Sequence, residues 1–351
     1  MTTPENPVTA TAPEHARIPE TALDWHRAGR GAVLATVVQT WGSAPRPVGA
    51  QLAVSGDAEI MGSVSGGCVE GAVVAEALEA LDDGGARLME FGVSDDDAFA
   101  VGLACGGTIR VLVEPVGAAL PEAVLSGVVD ARAARRPVAV ETALALGATQ
   151  GPVTRVESVS HRLLGYGEAP ARFDADRSGF AEDDPARFVA VHNPPLRLAI
   201  VGGVHIAQPL ARMAREAGYD VTIVDPREAF ASAARFPGET LVHDWPDAAL
   251  ERHGLDIRTA VVLLTHDPKL DDAALMAALP SPVFYVGALG STRTHAKRVE
   301  RLRAAGVSEE RIARIDAPVG LAIGARSPAE IAIATLAQIT ERLRRPETRP
   351  G

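Results

Sequence analysis

Residues Leu196 to Arg227 read LRLAIVGGVHIAQPLARMAREAGYDVTIVDPR. Leu196 to Val201 is apolar apart from Arg197 and stops at paired glycines, the pattern of a buried strand entering a tight turn. Ile206, Leu210 and Met213 then recur at helical spacing across Ile206 to Ala217. Asp220 to Val224 returns to β-branched residues and reads as a second strand. Working outward, the alternation continues. Leu241 to His243, Ala260 to Leu264 and Val283 to Val286 read as further strands, with helices between most of them. Asp267-Pro268 has an N-cap residue followed by proline at the first helical position. Ser327-Pro328-Ala329-Glu330 has capping-box spacing and opens a last helix to about Arg344. Strand and helix in alternation imply a parallel sheet with right-handed crossovers. The expected fold of residues 193–344 is therefore a Rossmann-like, doubly wound α/β domain, followed by a tail at 345–351.

In such a sheet, ligands sit beyond the carboxyl ends of the strands. Those ends carry Gly202-Gly203-Val204-His205, then Asp225-Pro226-Arg227, Asp244, Thr265-His266-Asp267, and Gly287 to Ser291. Gly202, His205, Asp225, His266, Asp267 and Gly290 are the candidate binding residues of this edge. The dinucleotide fingerprint is only partly met. Gly202 and Ala207 fit its first and last positions, but Val204 replaces the glycine that lets a pyrophosphate approach the backbone. Asp225, 23 residues after Gly202, stands where a ribose acceptor would be expected. The sheet is thus well marked and standard NAD(P) binding is weakened. His205, His266 and His295 lack zinc-ligand spacing, and no cysteine lies in this half, which favours hydrogen-bonding or turn roles. Arg293, Lys297 and Arg298, near a helix start, read either as an anion site or as a solvated helix face.

The whole chain has 351 residues, 47% hydrophobic and 23% charged, with a net charge of −11. That length suits two domains, and the composition excludes wholesale disorder. The acidic balance argues against duplex nucleic acid or an anionic membrane surface as the main partner. Residues 1–18, polar and proline-containing, read as a disordered tail without a secretory signal. No uncharged apolar run reaches the 18 or so residues of a membrane helix, and the expected location is the cytoplasm. Residues 19–192 form the expected N-terminal domain. Gly31 to Gln39 reads as a buried strand, and Gln51 to Val54 with Glu59 to Met61 as a hairpin around Ser55-Gly56-Asp57. Val69 to Leu81 reads as a helix and Ile109 to Val113 as a strand. A helix near Pro121 to Arg135 and strands near Val138 and Val153 follow. Residues 165–187 read as a long loop, and Asn193-Pro194-Pro195 as a boundary.

The only two cysteines, Cys68 and Cys105, each sit beside paired glycines, in Gly62 to Glu70 (GSVSGGCVE) and Gly102 to Gly107 (GLACGG). A thiol between a glycine-rich loop and a helix start faces free backbone amides, which favour an anion. Ser65, Gly66, Gly67 and Glu70 around the first thiol, with Gly106 and Gly107 around the second, complete the candidate set. Buried, inert cysteine is the plain alternative.

Thr40 to Arg46 (TWGSAPR), Gly62 to Gly71 and Gly102 to Gly107 resemble the N-terminal domain of the XdhC/CoxI family. Leu196 to Gln208, Val221 to Arg227, Val262 to Asp267, Phe284 to His295 and Pro318 to Pro328 are similar to its Rossmann domain. The resemblance spans about residues 20–340 in order. It implies an N-terminal mixed α/β domain of XdhC/CoxI type ahead of the parallel sheet. It further implies an accessory factor that binds molybdenum cofactor, supports its sulfuration with a cysteine desulfurase, and inserts it into a molybdenum hydroxylase apoenzyme. That client would be of the xanthine dehydrogenase or carbon monoxide dehydrogenase type, and the factor a homodimer. Cys68 and Cys105 are then candidate molybdenum ligands, since thiolates suit a soft metal centre. The amides of Ser65 to Gly67 are candidates for anionic oxygens, and the Asp225 crevice for the pterin or a nucleotide tail. Two further readings stand beside this one. An NAD(P)-dependent oxidoreductase would leave the cysteine loops without a role. A thiol-based redox or metal-binding regulator would require the Cα atoms of Cys68 and Cys105 within about 7 Å.

Overall fold

The computed structural model describes residues 17–92 and 107–345, which divide between Pro194 and Pro195 into two compact units. The N-terminal unit is built on a nine-stranded sheet with antiparallel neighbours throughout. In chain order its elements are α1 (Ile18–Arg27), β1 (Ala32–Trp41), β2 (Gln51–Ser55), β3 (Ile60–Gly62) and α2 (Glu70–Asp83). They continue with β4 (Arg87–Phe91), β5 (Thr108–Pro115), α3 (Glu122–Ala133), β6 (Val138–Gln150), β7 (Val153–Gly165), α4 (Pro170–Asp174), β8 (Gly179–Phe180) and β9 (Arg187–His192). The strand order is β3-β2-β1-β5-β4-β7-β6-β9-β8.

Helix α1 was not expected. It buries Ile18, Ala22, Leu23 and Trp25 against Leu34, Ala53, Leu120 and Leu125. Helix α2 forms where the periodicity placed one, with Val73, Ala77 and Ala80 buried against β1 and β5, and it ends at left-handed Gly84. The expected loop at 165–187 is corrected. It holds a 3₁₀ turn, α4 and β8, and Phe173 and Leu164 pack beneath it. Thr36, Gln51, Glu114, Thr142 and His192 are buried among Leu34, Leu112 and Phe188, lining one pocket. His161 Nε2 lies 2.8 Å from Glu114 Oε1. Burial, reinforced by nearby Arg132, pulls His192 down to about 3.

The C-terminal unit comprises β10 (Leu196–Val201), α5 (Ala207–Glu216), β11 (Tyr219–Val224), β12 (Thr240–Val242), α6 (Pro246–His253) and β13 (Thr259–Leu263). It continues with α7 (Pro268–Ala278), β14 (Tyr285–Ala288), α8 (Thr292–Ala304), α9 (Glu309–Ile312), β15 (Ile315–Asp316) and α10 (Pro328–Arg344). All six strands are parallel, in the order β12-β11-β10-β13-β14-β15. This is the Rossmann arrangement, with its switch point between β10 and β13. Alternate residues serve the two faces. Leu198 and Ile200 pack with Leu210, Ala214, Ala332 and Ile339, while Ala199 and Val201 pack with Leu250, Ala274, Leu275 and Leu302. The caps read from the sequence are present. Asp267 accepts from Lys269 N, and Ser327 and Glu330 form the reciprocal box. Among the described residues, no helix is long and apolar enough to cross a membrane.

Candidate functional site

The turn between β3 and α2 is organised by one carboxylate. Glu70, the first residue of α2, reaches back into the turn that precedes it. Its Oε1 accepts from Ser63 Oγ at 2.6 Å, Val64 N at 3.2 Å and Ser65 N at 2.9 Å. Its Oε2 accepts from Gly67 N at 2.9 Å and from the Ser65 hydroxyl. Ser65 Oγ in turn accepts from Cys68 N and Val69 N, each at 3.0 Å, and Ser63 Oγ from Gly66 N at 2.8 Å. Every backbone N–H from Val64 to Val69 is therefore satisfied within the turn. Burial alone would raise the Glu70 carboxyl, but the Ser63 and Ser65 hydroxyls and the backbone donors hold it at about 2. The expectation that the amides of Ser65 to Gly67 meet an external anion is corrected. Glu70 is the anion they bind, so it is the staple of the turn and presents no open carboxylate.

This network leaves one reactive group outside it, the thiol of Cys68, which is exposed. Gly66 and Gly67, at φ +78° and +117°, supply two consecutive left-handed positions that side chains resist. The loop after β1 lies beside the turn. A Cβ on Gly66 would meet Pro45 Cβ at 3.8 Å, and one on Gly107 would fall 2.4 Å from Ser43 O. The Thr40 to Arg46 motif thus touches both glycine loops. Cys105 and Gly106 lie outside the described residues. So does the expected proximity of the two thiols. Among the described residues, no group of three or more His, Cys, Asp or Glu is placed to hold a metal ion.

In the second unit, Asp225 closes the first Rossmann turn in a similar way. It is fully buried, and its Oδ2 accepts from Gly203 N at 2.9 Å. Arg227 donates to it from the backbone at 3.0 Å and from Nε and Nη2 at 2.8 Å each. Burial pushes the Asp225 carboxyl up, but the Arg227 guanidinium and the two amides overcome this and hold it below the usual range. Arg227 stacks 4.0 Å from the Phe230 ring centre, and Arg235 Nη1 donates to Gly203 O and Phe230 O. A Cβ on Gly203 would lie 2.5 Å from Phe230 O, and one on Gly202 2.7 Å from Thr265 Cγ2. The space over the glycines is filled by the chain itself, and Val204 packs towards the core. The expected role of Asp225 as a free ribose or pterin acceptor is therefore corrected; the residue that spends it is Arg227. His205 stays exposed at the same turn.

His266, Asp267 and Gly290 gather elsewhere, at the ends of β13 and β14. Exposed His266 adopts a left-handed φ of +61° and lines a cleft with Arg293, Thr294, Lys297, Arg298 and Arg301. Gly290, at φ +134°, packs against Thr294 before the Ser291 cap of α8. Asp267 is spent capping α7. Arg301 and Thr294 were missed from the sequence. The spacing Arg293, Lys297, Arg301 is a one-face helical stripe that carries the signal.

Molybdenum cofactor insertion chaperone PaoD of Escherichia coli (strain K12) is 33% identical over 326 residues, covering 93% of this chain and 88% of that protein. The chain belongs to the XdhC and CoxI family. The family model of that description matches residues 25–92, and the XdhC Rossmann domain model matches residues 198–339. A second relative, described as a probable xanthine dehydrogenase component of Bacillus subtilis (strain 168), is 27% identical over 90% of this chain and 94% of its own length. The fold is also that of a crystal structure described as a xanthine dehydrogenase from Bacillus halodurans. That match has a TM-score of 0.72 and 25% identity, and covers 95% and 96% of the two chains. Both domains of the XdhC/CoxI family are thus present, and the Asp225 and Glu70 turns fall inside the matched segments.

Proposed function

We propose that the protein binds molybdenum cofactor as cargo, supports its sulfuration with a cysteine desulfurase, and inserts it into a molybdenum hydroxylase of the xanthine dehydrogenase or carbon monoxide dehydrogenase type. The observation that carries this reading is the end-to-end similarity to a molybdenum cofactor insertion chaperone. The geometry supports it in one respect above all. Cys68 is presented on a turn whose backbone is already satisfied, so the exposed thiol is free to meet a soft, sulfur-ligated metal centre. Cys68 and Cys105 are the proposed contacts to the molybdenum end, and the chain acts as a homodimer. The filled space over Gly202 and Gly203 speaks against nicotinamide dinucleotide binding at the first Rossmann turn.

The test is equilibrium binding of the purified chain to molybdenum cofactor under anaerobic conditions, with Cys68→Ala and Cys105→Ala alongside and NAD(P)H as competitor. Stoichiometric binding, weakened at least tenfold in a cysteine variant, is expected. Firm NAD(P)H binding without any cofactor binding would overturn the proposal. Sulfuration is tested separately, by the sulfido-dependent activity of a reconstituted client with and without the desulfurase.

A further inference from the structure

The cleft between α7 and α8 has a charge imbalance that the chain does not resolve. Arg298 is 1% exposed, and its Nη2 donates to Asp271 Oδ2 at 3.1 Å and to Leu289 O at 2.9 Å. Its Nε and Nη1 are buried and have no hydrogen-bond partner. Donors of a buried guanidinium are seldom left unused, and a bound ligand is one of the few explanations. Asp271 cannot supply more, because its Oδ1 already accepts from Thr265 Oγ1 at 2.6 Å. Arg301 is balanced by Asp272, with bonds of 2.6 and 2.9 Å. Arg293 and Lys297 line the same cleft, and among the described residues neither has an acidic partner. The first turns of α7 and α8 both border it, adding the positive ends of two helix dipoles. Two excess cations, a buried guanidinium with open donors and the Thr294 hydroxyl together form an acceptor for a multiply charged oxyanion. Arginine donors pair with phosphate oxygens in the planar fork that such a group presents.

We infer that this cleft is a phosphate site, taking a phosphate monoester or diphosphate, and that the phosphate of a bound cofactor or nucleotide sits here rather than at the glycine turn after β10. The link to a cofactor rests on the function proposed above; the phosphate site itself does not.

The experiment is titration of the full chain with inorganic pyrophosphate by calorimetry at low ionic strength. Wild type is compared with Arg293→Ala/Lys297→Ala and with Arg298→Gln. The first variant changes only exposed side chains, so it reports on the site even if the buried substitution impairs folding. Saturable binding is expected, weakened at least tenfold in the exposed double variant. No binding, or binding indifferent to that variant, overturns the inference. Displacement of pyrophosphate by molybdenum cofactor assigns the site to the cargo, and displacement by ADP alone assigns it to a free nucleotide; either outcome upholds the phosphate site. Cys68-dependent cofactor binding on the same preparations tests the chaperone reading by itself, so the two ideas fail separately.

Discussion

Two glycine-rich turns, one in each unit, are closed by a single carboxylate, and they end in opposite conditions. Glu70 gathers the amides of Val64, Ser65 and Gly67 and leaves Cys68 at the surface. Asp225 gathers Gly203 and Arg227, and Phe230 and Arg235 then cover the turn. The first carboxylate is neutralised by neutral donors at a helix start, the second by a guanidinium. A staple of amides and hydroxyls needs no bulky partner above it, so the first turn remains accessible. A staple that includes arginine brings a large side chain with it, and the surrounding segment packs onto that side chain. The difference teaches that a glycine-rich turn in a Rossmann unit is not by itself an open site.

The largest effect should come from Asp225→Ala. It strands Arg227 and Gly203 N beside a void and should cost about 3 kcal/mol. Hydrogen exchange resolved by segment should show faster exchange in β10 and β11, and a change below about 1 kcal/mol would break the comparison. Next is the acid dependence of the Glu70 turn. Its folded carboxyl lies at about 2 against an ordinary value of 4.5, so the unfolded chain binds more protons between these values. The turn's contribution, on the order of 3 kcal/mol, is complete above pH 4.5 and is lost as pH falls towards 2. Glu70→Gln should flatten that limb of the pH–stability curve. The buried His192 also loses stability on acidification, but its loss begins at 6.5 and persists in this variant.

Glycine substitutions sharpen the contrast. Gly203→Ala meets Phe230 O at 2.5 Å and should cost about 1–3 kcal/mol by thermal unfolding. Gly67→Ala meets nothing within 4 Å, but its φ of +117° should still cost about 1 kcal/mol. Equal losses would remove the distinction between a covered and an open turn. Smallest in stability is Cys68→Ser, expected within about 0.5 kcal/mol of wild type because the side chain is exposed. Cofactor binding should nonetheless fall at least tenfold in that variant. A large shift in melting temperature would instead make the thiol a structural group.

Much of the second unit was legible because its signals are local. Strands of Ala, Val and Ile, the Asp267 and Ser327 caps and the β10 glycines each announce themselves within a few residues. The first unit was harder. Strands β6 and β7 run 13 residues each through register shifts near Ala145 and Leu146, which blur any strict alternation. Helix α4 and strand β8 are too short to show a period. The site was legible as a set of loops but not as a set of roles. A carboxylate at a strand end or helix start serves a ligand or its own backbone equally well in sequence. Only the return of Arg227 onto Asp225, and of Glu70 onto Ser63 and Ser65, separates the two. Arg298 shows the converse, a helix residue whose unused donors become visible only once its burial is known.

The Glu70 staple has a kinetic consequence. A loop that carries its own anion is shaped before any visitor arrives, so docking at Cys68 involves no ordering of the backbone, and departure no relaxation of it. Traffic past the thiol is then limited by encounter and by bond exchange at sulfur, not by loop motion. A relay between two macromolecules works best on such terms, because the next recipient has only to compete for one atom.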